Sequence, residues 1–142
     1  RGLGDVYKRQ VISNAKKLGE TLVNHGFNLA SGGTDTHLLL VDLTPKGLTG
    51  DLAEASLERA NITCNKNSIP FDPMPPKVTS GIRVGTPAAT TRGFNNNDFI
   101  KVGDLIAETL DGLQNNPEDN SKTEESVRMQ VKELCDKYPI YS

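Results

Sequence analysis

The sequence predicts an α+β fold, in which a short mixed or antiparallel sheet carries helices packed on one face. Two observations lead to this class. Apolar residues recur at helical spacing in four segments, and short β-favouring runs lie between these segments. The runs and helices do not alternate regularly, as they would in a doubly wound sheet. With 142 residues the chain is long enough for one domain with a core, and one domain is expected.

The first helix is predicted over residues 11–25 and is followed by a buried strand. Its apolar stripe consists of Val11, Ala15, Leu18 and Leu22. Gly26 stands where a left-handed C-terminal cap is expected. After the turn-prone Ser31–Gly33 comes an almost continuous apolar run, His37–Leu43. Such a run predicts a core strand that is covered on both faces.

The second helix is predicted to begin after Thr49, whose side chain can accept hydrogen bonds from the free amides there. It extends to about Ala60. β-Favouring residues then predict two strands, Ile62–Cys64 and Ile82–Val84. Between them, residues 67–76 contain four prolines, which exclude regular structure. An irregular loop is therefore expected between these two strands.

Two more helices are predicted in the C-terminal part of the chain. The stripe of the longer one consists of Phe99, Val102, Ile106, Leu110 and Leu113. The polar, proline-containing segment 114–120 is typical of a linker. Ser121 and Glu124 have the spacing of a capping box. The buried face of the last helix is predicted to consist of Val127, Val131 and Leu134.

Composition excludes several classes of function. The net charge is −2 with acids and bases nearly balanced, so there is no broad basic field to hold nucleic acid. Two cysteines, Cys64 and Cys135, lie far apart, which fits neither a disulfide framework nor a metal site. The longest apolar run, Leu38–Val41, is too short to cross a bilayer. We expect a soluble, cytoplasmic protein without a nucleic-acid or membrane partner.

Arg83 is the first candidate for ligand binding. It lies inside a predicted apolar strand with Gly81 and Gly85 on either side, and glycine lets another group approach closely. A guanidinium group there has a planar fork that suits a carboxylate. The alternative is an internal salt bridge to an aspartate or glutamate, which is the commoner role for an arginine on a strand.

The segment Asn65–Ser68 is a second, weaker candidate. It offers amides, an amine and a hydroxyl just before a loop that proline makes stiff, and stiff polar loops often bind ligands. The alternative is a plain surface connection in which Lys66 is only solvated. Residue types alone leave both interpretations open.

Three segments, read together, resemble serine hydroxymethyltransferases. They are Ser31–Leu38 (SGGTDTHL), Asn61–Pro70 (NITCNKNSIP) and Thr79–Ala88 (TSGIRVGTPA). Their order and spacing also agree with the family, as does the ending Tyr138–Tyr141. The resemblance runs from about Val11 to the end of the chain. Residues 1–10 are an unmatched leader, for which a cloning or assembly artefact is one explanation.

The resemblance implies that residues 11–142 are the small C-terminal domain of a fold-type I pyridoxal-phosphate enzyme, related to aspartate aminotransferase. The full-length enzyme would interconvert serine plus tetrahydrofolate and glycine plus 5,10-methylenetetrahydrofolate, as a homodimer or homotetramer. Arg83 matches the arginine that binds the substrate carboxylate. Asn67 matches an asparagine that contacts the folate. Pro75, Pro76 and Lys77 align with a folate-contacting stretch, although the family commonly has Ser-Pro-Phe there.

The family's groups for cofactor attachment and proton transfer are expected upstream of this chain. No lysine here has the threonine-rich His-Lys context of the lysine that binds pyridoxal phosphate covalently. The fragment alone is therefore predicted to be inactive, with no catalytic residue of its own. Thr36 stands where the family commonly has asparagine, a change confined to a turn. The alternative is a free-standing, non-catalytic binding or assembly module derived from the same domain.

Overall fold

The computed structural model describes residues 2–29, 38–85 and 94–137, together with the side chains of these ranges except 2–7, 38 and 85. The elements in these ranges are α1 (Gly2–Asn24), β1 (Asn28–Leu29), β2 (Leu38–Asp42), a 3-10 turn (Thr44–Lys46), α2 (Gly50–Arg59), β3 (Asn65–Asn67), β4 (Gly81–Gly85), α3 (Asn96–Asn115) and α4 (Ser121–Asp136). The predicted α+β class is confirmed. The motif at Ser31–His37, the residues Thr86–Ala88 and the ending Tyr138–Tyr141 lie outside the described residues.

The four strands form one antiparallel sheet in the order β1-β2-β4-β3. Residues that stand directly opposite each other on neighbouring strands point to the same face. Two such pairs, Leu39 with Val84 and Val41 with Ile82, are buried in the core. One face of the sheet is thus covered by the helices. The opposite face carries Arg83, which is exposed.

The helices bury their predicted stripes against this face and against one another. On α1, Leu18 and Leu22 are fully buried, and on α3 so are Ile106 and Leu110. The two helices pack tightly at Gly103, where a Cβ would lie 2.7 Å from Cγ2 of Thr21. A glycine is needed at that point because any larger residue would separate the two helices.

The first helix is longer than predicted. It begins at Gly2 instead of residue 11 and ends at Asn24. Gly26 has a φ of +95°, which confirms the expected left-handed cap. Among the described residues, no helix is long and apolar enough to span a membrane.

Two strand predictions need correction. β3 is formed by Asn65–Asn67 and not by Ile62–Cys64, because the side chains of Ile62 and Cys64 enter the core before the chain reaches the edge of β4. β2 was expected to be covered on both faces. Instead Leu40 and Asp42 are only half-buried, since they lie on the face that the helices leave open.

The two predicted helix starts are also built differently. The Thr49 hydroxyl donates to Oδ1 of Asp51 at 2.5 Å and caps no amide. The amides of Gly50 and Asp51 instead bind the carbonyls of Thr79 and Val78. These carbonyls come from a loop that is distant in sequence, so local spacing could not reveal them.

The predicted capping box at Ser121 and Glu124 is wrong, because Asn120 is the residue before the helix and the Glu124 carboxylate binds Arg59 and Ser56 on α2. A capping box does occur at the start of α3. There the Asp98 amide donates to the Asn95 side chain at 3.0 Å, and the Asn95 amide donates to the Asp98 carboxylate at 2.9 Å.

Candidate functional site on the open face of the sheet

Arg83 occupies the middle of β4, with a paired strand on each side. It stands opposite Leu40 of β2 and Asn65 of β3. Since opposite residues share a face, these three side chains lie together on the face away from the core. The backbone of Arg83 is therefore fixed from both sides while its side chain is exposed.

The guanidinium of Arg83 has no acidic partner among the residues that the structure describes. The ion pairs in these ranges join other residues, and no hydrogen bond from the Arg83 side chain occurs there. The internal salt bridge that was the alternative interpretation is thus absent from the described ranges. The fork of donors is available for a carboxylate from outside.

Gly81 is required by close packing at the start of β4. A Cβ there would lie 2.8 Å from Cγ2 of Ile69 and 2.9 Å from the carbonyl oxygens of Asn67 and Val41. Real Cβ atoms essentially never come so close to other heavy atoms. The glycine therefore allows the loop after β3 to pack directly against β4.

Asn67 lies on the same face as Arg83, on the neighbouring strand. It pairs with Gly81, two positions from Arg83 along β4. Diagonal neighbours of this kind are about 7–8 Å apart, close enough for long side chains to contact one ligand. The half-buried Asn67 amide donates from Nδ2 to the Ser68 carbonyl at 3.0 Å, and this is its side chain's one hydrogen bond to a described residue.

Pro75, Pro76 and Lys77 do not belong to the strands of that face. They form an exposed turn in which the Pro75 carbonyl accepts from the amides of Val78 and Thr79 at 2.9 and 3.0 Å. The turn leads into the carbonyls that cap α2. The structure thus brings Asn67 and Arg83 together and places Pro75–Lys77 at the start of α2.

Asp72 is a residue of this region that the sequence analysis missed. Its carboxylate accepts hydrogen bonds from the amides of Ile69, Met74 and Ser80 and from the Ser80 hydroxyl, at 2.8–3.1 Å. Desolvation acts to raise the pKa of Asp72, but these hydrogen bonds outweigh it and lower the pKa to about 2. Aspartate in turns often binds the amide two residues on, which could have predicted the Met74 contact. Ser80 is eight residues away, so no pattern of neighbouring residues predicts its contact with Asp72.

Two residues of the same loop have a left-handed backbone without being glycine. Phe71 has a φ of +57° and Thr79 a φ of +61°. Phe71 is also completely exposed, whereas Thr79 is buried. Such conformations persist only where the surrounding structure fixes them. The loop between β3 and β4 therefore has a defined backbone conformation.

Lys66 lies on β3 but does not share a face with Arg83. Lys66 is the lysine nearest to the site in sequence. It pairs with Ile82 and so points to the opposite side of the sheet from Asn65, Asn67 and Arg83. This face can hold an anion at Arg83 and present the amides of Asn65 and Asn67.

Comparisons with known proteins agree on one family. A family model described as serine hydroxymethyltransferase matches residues 5–106. The serine hydroxymethyltransferase of Paramagnetospirillum magneticum is 61% identical over 136 residues, and serine hydroxymethyltransferase 2 of Rhodospirillum rubrum is 62% identical over 136 residues. Each alignment covers 96% of this chain but 32% of the relative. The chain thus spans about a third of the length of these proteins.

Proposed function

Because the chain belongs to the serine hydroxymethyltransferase family, we propose that it is the small C-terminal domain of such an enzyme. The full-length protein converts serine and tetrahydrofolate to glycine, 5,10-methylenetetrahydrofolate and water, and catalyses the reverse reaction. The chain corresponds to 32% of its relatives, so this activity belongs to the longer protein. Within it, this domain supplies the arginine for the substrate carboxylate and part of the folate site.

The observation that carries this proposal is the exposed guanidinium of Arg83, which lies on a strand paired on both sides and has no acidic partner among the described residues. Two parallel N–H donors hold a carboxylate in one orientation. Fixing the amino acid in this way sets the direction of the bond to be broken, which is a gain in orientation and not in acid–base chemistry. The backbone pairing on both sides of Arg83 limits movement of this anchor.

The same face supports a role for Asn67 in folate binding. Its amide lies beside Arg83, so a folate held there would approach the bound amino acid. Pro75, Pro76 and Lys77 are exposed on the following loop and are proposed to contact another part of the folate. Their assignment rests on the alignment with the family.

Pyridoxal phosphate, which the family implies, supplies the electron sink that makes bond cleavage at the α-carbon feasible. Its covalent attachment is proposed to lie elsewhere, because no lysine of this sequence has the threonine-rich His-Lys context of the family's lysine. We therefore assign its binding to the part of the enzyme outside this chain. A cytoplasmic homodimer or homotetramer is part of the same proposal.

The test of this assignment is replacement of Arg83 in the full-length enzyme. Arg83→Lys is expected to raise KM for serine about tenfold and Arg83→Ala about a hundredfold, because lysine keeps the charge but loses the fork. KM for tetrahydrofolate should change much less. Arg128→Ala, which removes an exposed arginine from α4, is the matched control and should leave both constants unchanged. An unaltered KM for serine in Arg83→Ala would refute the role.

A further inference from the structure

The Asp72 carboxylate joins the two strands beyond the end of their backbone pairing. The last pair of the β3–β4 ladder is Asn67 with Gly81. Just past it, Oδ2 of Asp72 accepts from the amides of Ile69 at 3.1 Å and Ser80 at 2.8 Å. The Asp72 side chain thus bridges Ile69, which follows β3, and Ser80, which precedes β4, where a further backbone pair of the ladder would otherwise lie.

The other carboxylate oxygen fixes the interior of the loop. Oδ1 accepts from the Met74 amide and from the Ser80 hydroxyl, both at 2.8 Å. An ionised carboxylate is purely an acceptor, so all four donors are satisfied at once. The chain from Ile69 to Ser80 is closed into a ring through one side chain, and hydrogen bonds to a charged group are the stronger kind.

The end of the loop is held independently by α2. The carbonyls of Val78 and Thr79 accept from the amides of Asp51 and Gly50 at 3.0 and 2.9 Å. Gly50 has no Cβ, and a Cβ there would collide with the Thr79 hydroxyl. Between the last ladder pair and these α2 contacts, Asp72 accepts four hydrogen bonds from the loop, and the Pro75 carbonyl accepts two more from Val78 and Thr79.

We propose that Asp72 is a positioning residue for tetrahydrofolate, which holds the loop between Asn67 and the Pro75–Lys77 turn in its binding arrangement before the folate arrives. This inference rests on the proposed function, since it takes those residues as the folate contacts. A loop that is already ordered loses little conformational freedom on binding, and affinity rises accordingly. Phe71, next to Asp72, has a left-handed backbone, as expected in a loop whose shape is fixed by the hydrogen bonds of Asp72.

The effect is specific to folate because Arg83 has separate support. Its backbone is paired with Leu40 on one side and Asn65 on the other, and neither pair involves Asp72. Loosening the loop therefore leaves the carboxylate anchor in place. Binding of serine and binding of folate should respond differently to the loss of Asp72.

The test is Asp72→Asn in the full-length holoenzyme. Asparagine keeps one acceptor oxygen but turns an NH2 group toward backbone donors, so about half of the hydrogen bonds are lost. KM for tetrahydrofolate is expected to rise about tenfold, while Kd for serine, followed by cofactor absorbance without folate, stays within about twofold. Ser80→Ala removes the hydroxyl donor alone and should raise the folate KM by about threefold.

The matched control is Asp119→Asn. Asp119 also accepts from a serine amide and hydroxyl, those of Ser121 at 3.1 and 2.7 Å, but in the loop before α4. It should alter neither constant. Unchanged folate KM in both Asp72→Asn and Ser80→Ala would overturn the proposal, as would an equal rise of the folate KM and the serine Kd. Failure of the proposed function is a separate result, because the unmodified holoenzyme would then not transfer the one-carbon unit at all.

Discussion

At the scale of single residues, the environment of Cys64 raises the pKa of its thiol, whereas the environment of a reactive cysteine lowers it. Burial raises the pKa of its thiol to about 12, and the nearby charges of Glu54 and Glu58 act in the same direction. The side chain is 8% exposed. Because the thiolate is the nucleophile, both effects make this residue unreactive near neutral pH.

We predict that a maleimide or disulfide reagent at pH 8 modifies Cys135 at least about tenfold faster than Cys64, because Cys135 is partly exposed. Mass spectrometry of peptides after timed quenching gives the two rates. In denaturant the two cysteines should react at similar rates, which serves as the control. Equal rates in the native protein would show that Cys64 is not shielded as described.

The two residues most relevant to the site differ in how far sequence could predict them. An arginine between glycines on a β-favouring run marked Arg83 as a candidate, because its unusual neighbours lie within a few positions. That no described residue forms an ion pair with it depends on where the carboxylates lie in space. The contacts of Asp72 with Ser80 could not be found from the sequence, because Ser80 is brought to Asp72 only by the pairing of β3 with β4.

At the scale of elements, α2 and α4 are joined by a charged contact at their interface. The Glu124 carboxylate accepts from Arg59 Nε at 2.8 Å, from Arg59 Nη2 at 2.9 Å and from the Ser56 hydroxyl at 2.5 Å. The hydrogen bond from Arg59 lowers the pKa of Glu124, desolvation opposes it, and the bond from Ser56 lowers the pKa further. Glu124 is 4% exposed, so its charge depends on these donors.

Glu124→Gln is predicted to lower the free energy of unfolding by about 1–3 kcal/mol at pH 7. The pKa in the folded protein lies below the ordinary value of 4.5, so the contribution of Glu124 is complete above that pH. It is lost as the pH falls below 4.5 through the folded pKa. Urea unfolding of the chain should therefore show the variant and the wild type converging in acid. Glu125→Gln, an exposed neighbour, is the control, and a pH-independent difference would contradict this account.

Helices were easier to predict than strands or caps for a physical reason. A helix is defined by contacts three and four residues apart, so the stripes of α1 and α3 were visible in the sequence. β3 lies three residues after the predicted strand, because Ile62 and Cys64 are buried in the core but do not pair with β4. The start of α2 depends on carbonyls nearly thirty positions away, which no local pattern records.

At the scale of the whole molecule, helices cover one side of the sheet, and the other side carries the exposed Arg83 and Asn65 among the described residues. An apolar core lies within the described residues, whereas Arg83 and Phe71 are exposed. The relatives are about three times as long as this chain. The open face is therefore where we expect the rest of the enzyme to meet this domain.

The 142-residue chain is predicted to bind no pyridoxal phosphate through a lysine, since none of its lysines has the threonine-rich His-Lys context of the family's lysine. Titration with pyridoxal phosphate and glycine, followed by absorbance, should give no saturable change, while the full-length enzyme gives a clear one. A saturable signal that disappears when one lysine is replaced would contradict the assignment of the cofactor to the rest of the enzyme. It would instead favour a self-sufficient binding module.

The strand order also determines how long β2 remains without its partner β4 during synthesis on the ribosome. β2 and β4 are the central strands, and their register joins Leu38 to Gly85. At 5–20 residues per second, a ribosome needs roughly 2 to 10 s to make the chain between them. During that interval Leu39 and Val41 have no partner strand on the β4 side, and α1 still lacks α3. The nascent chain therefore passes through a period in which the exposed edge of an apolar strand can pair with the wrong segment. Chaperones that bind this edge would protect it until β4 has been synthesised.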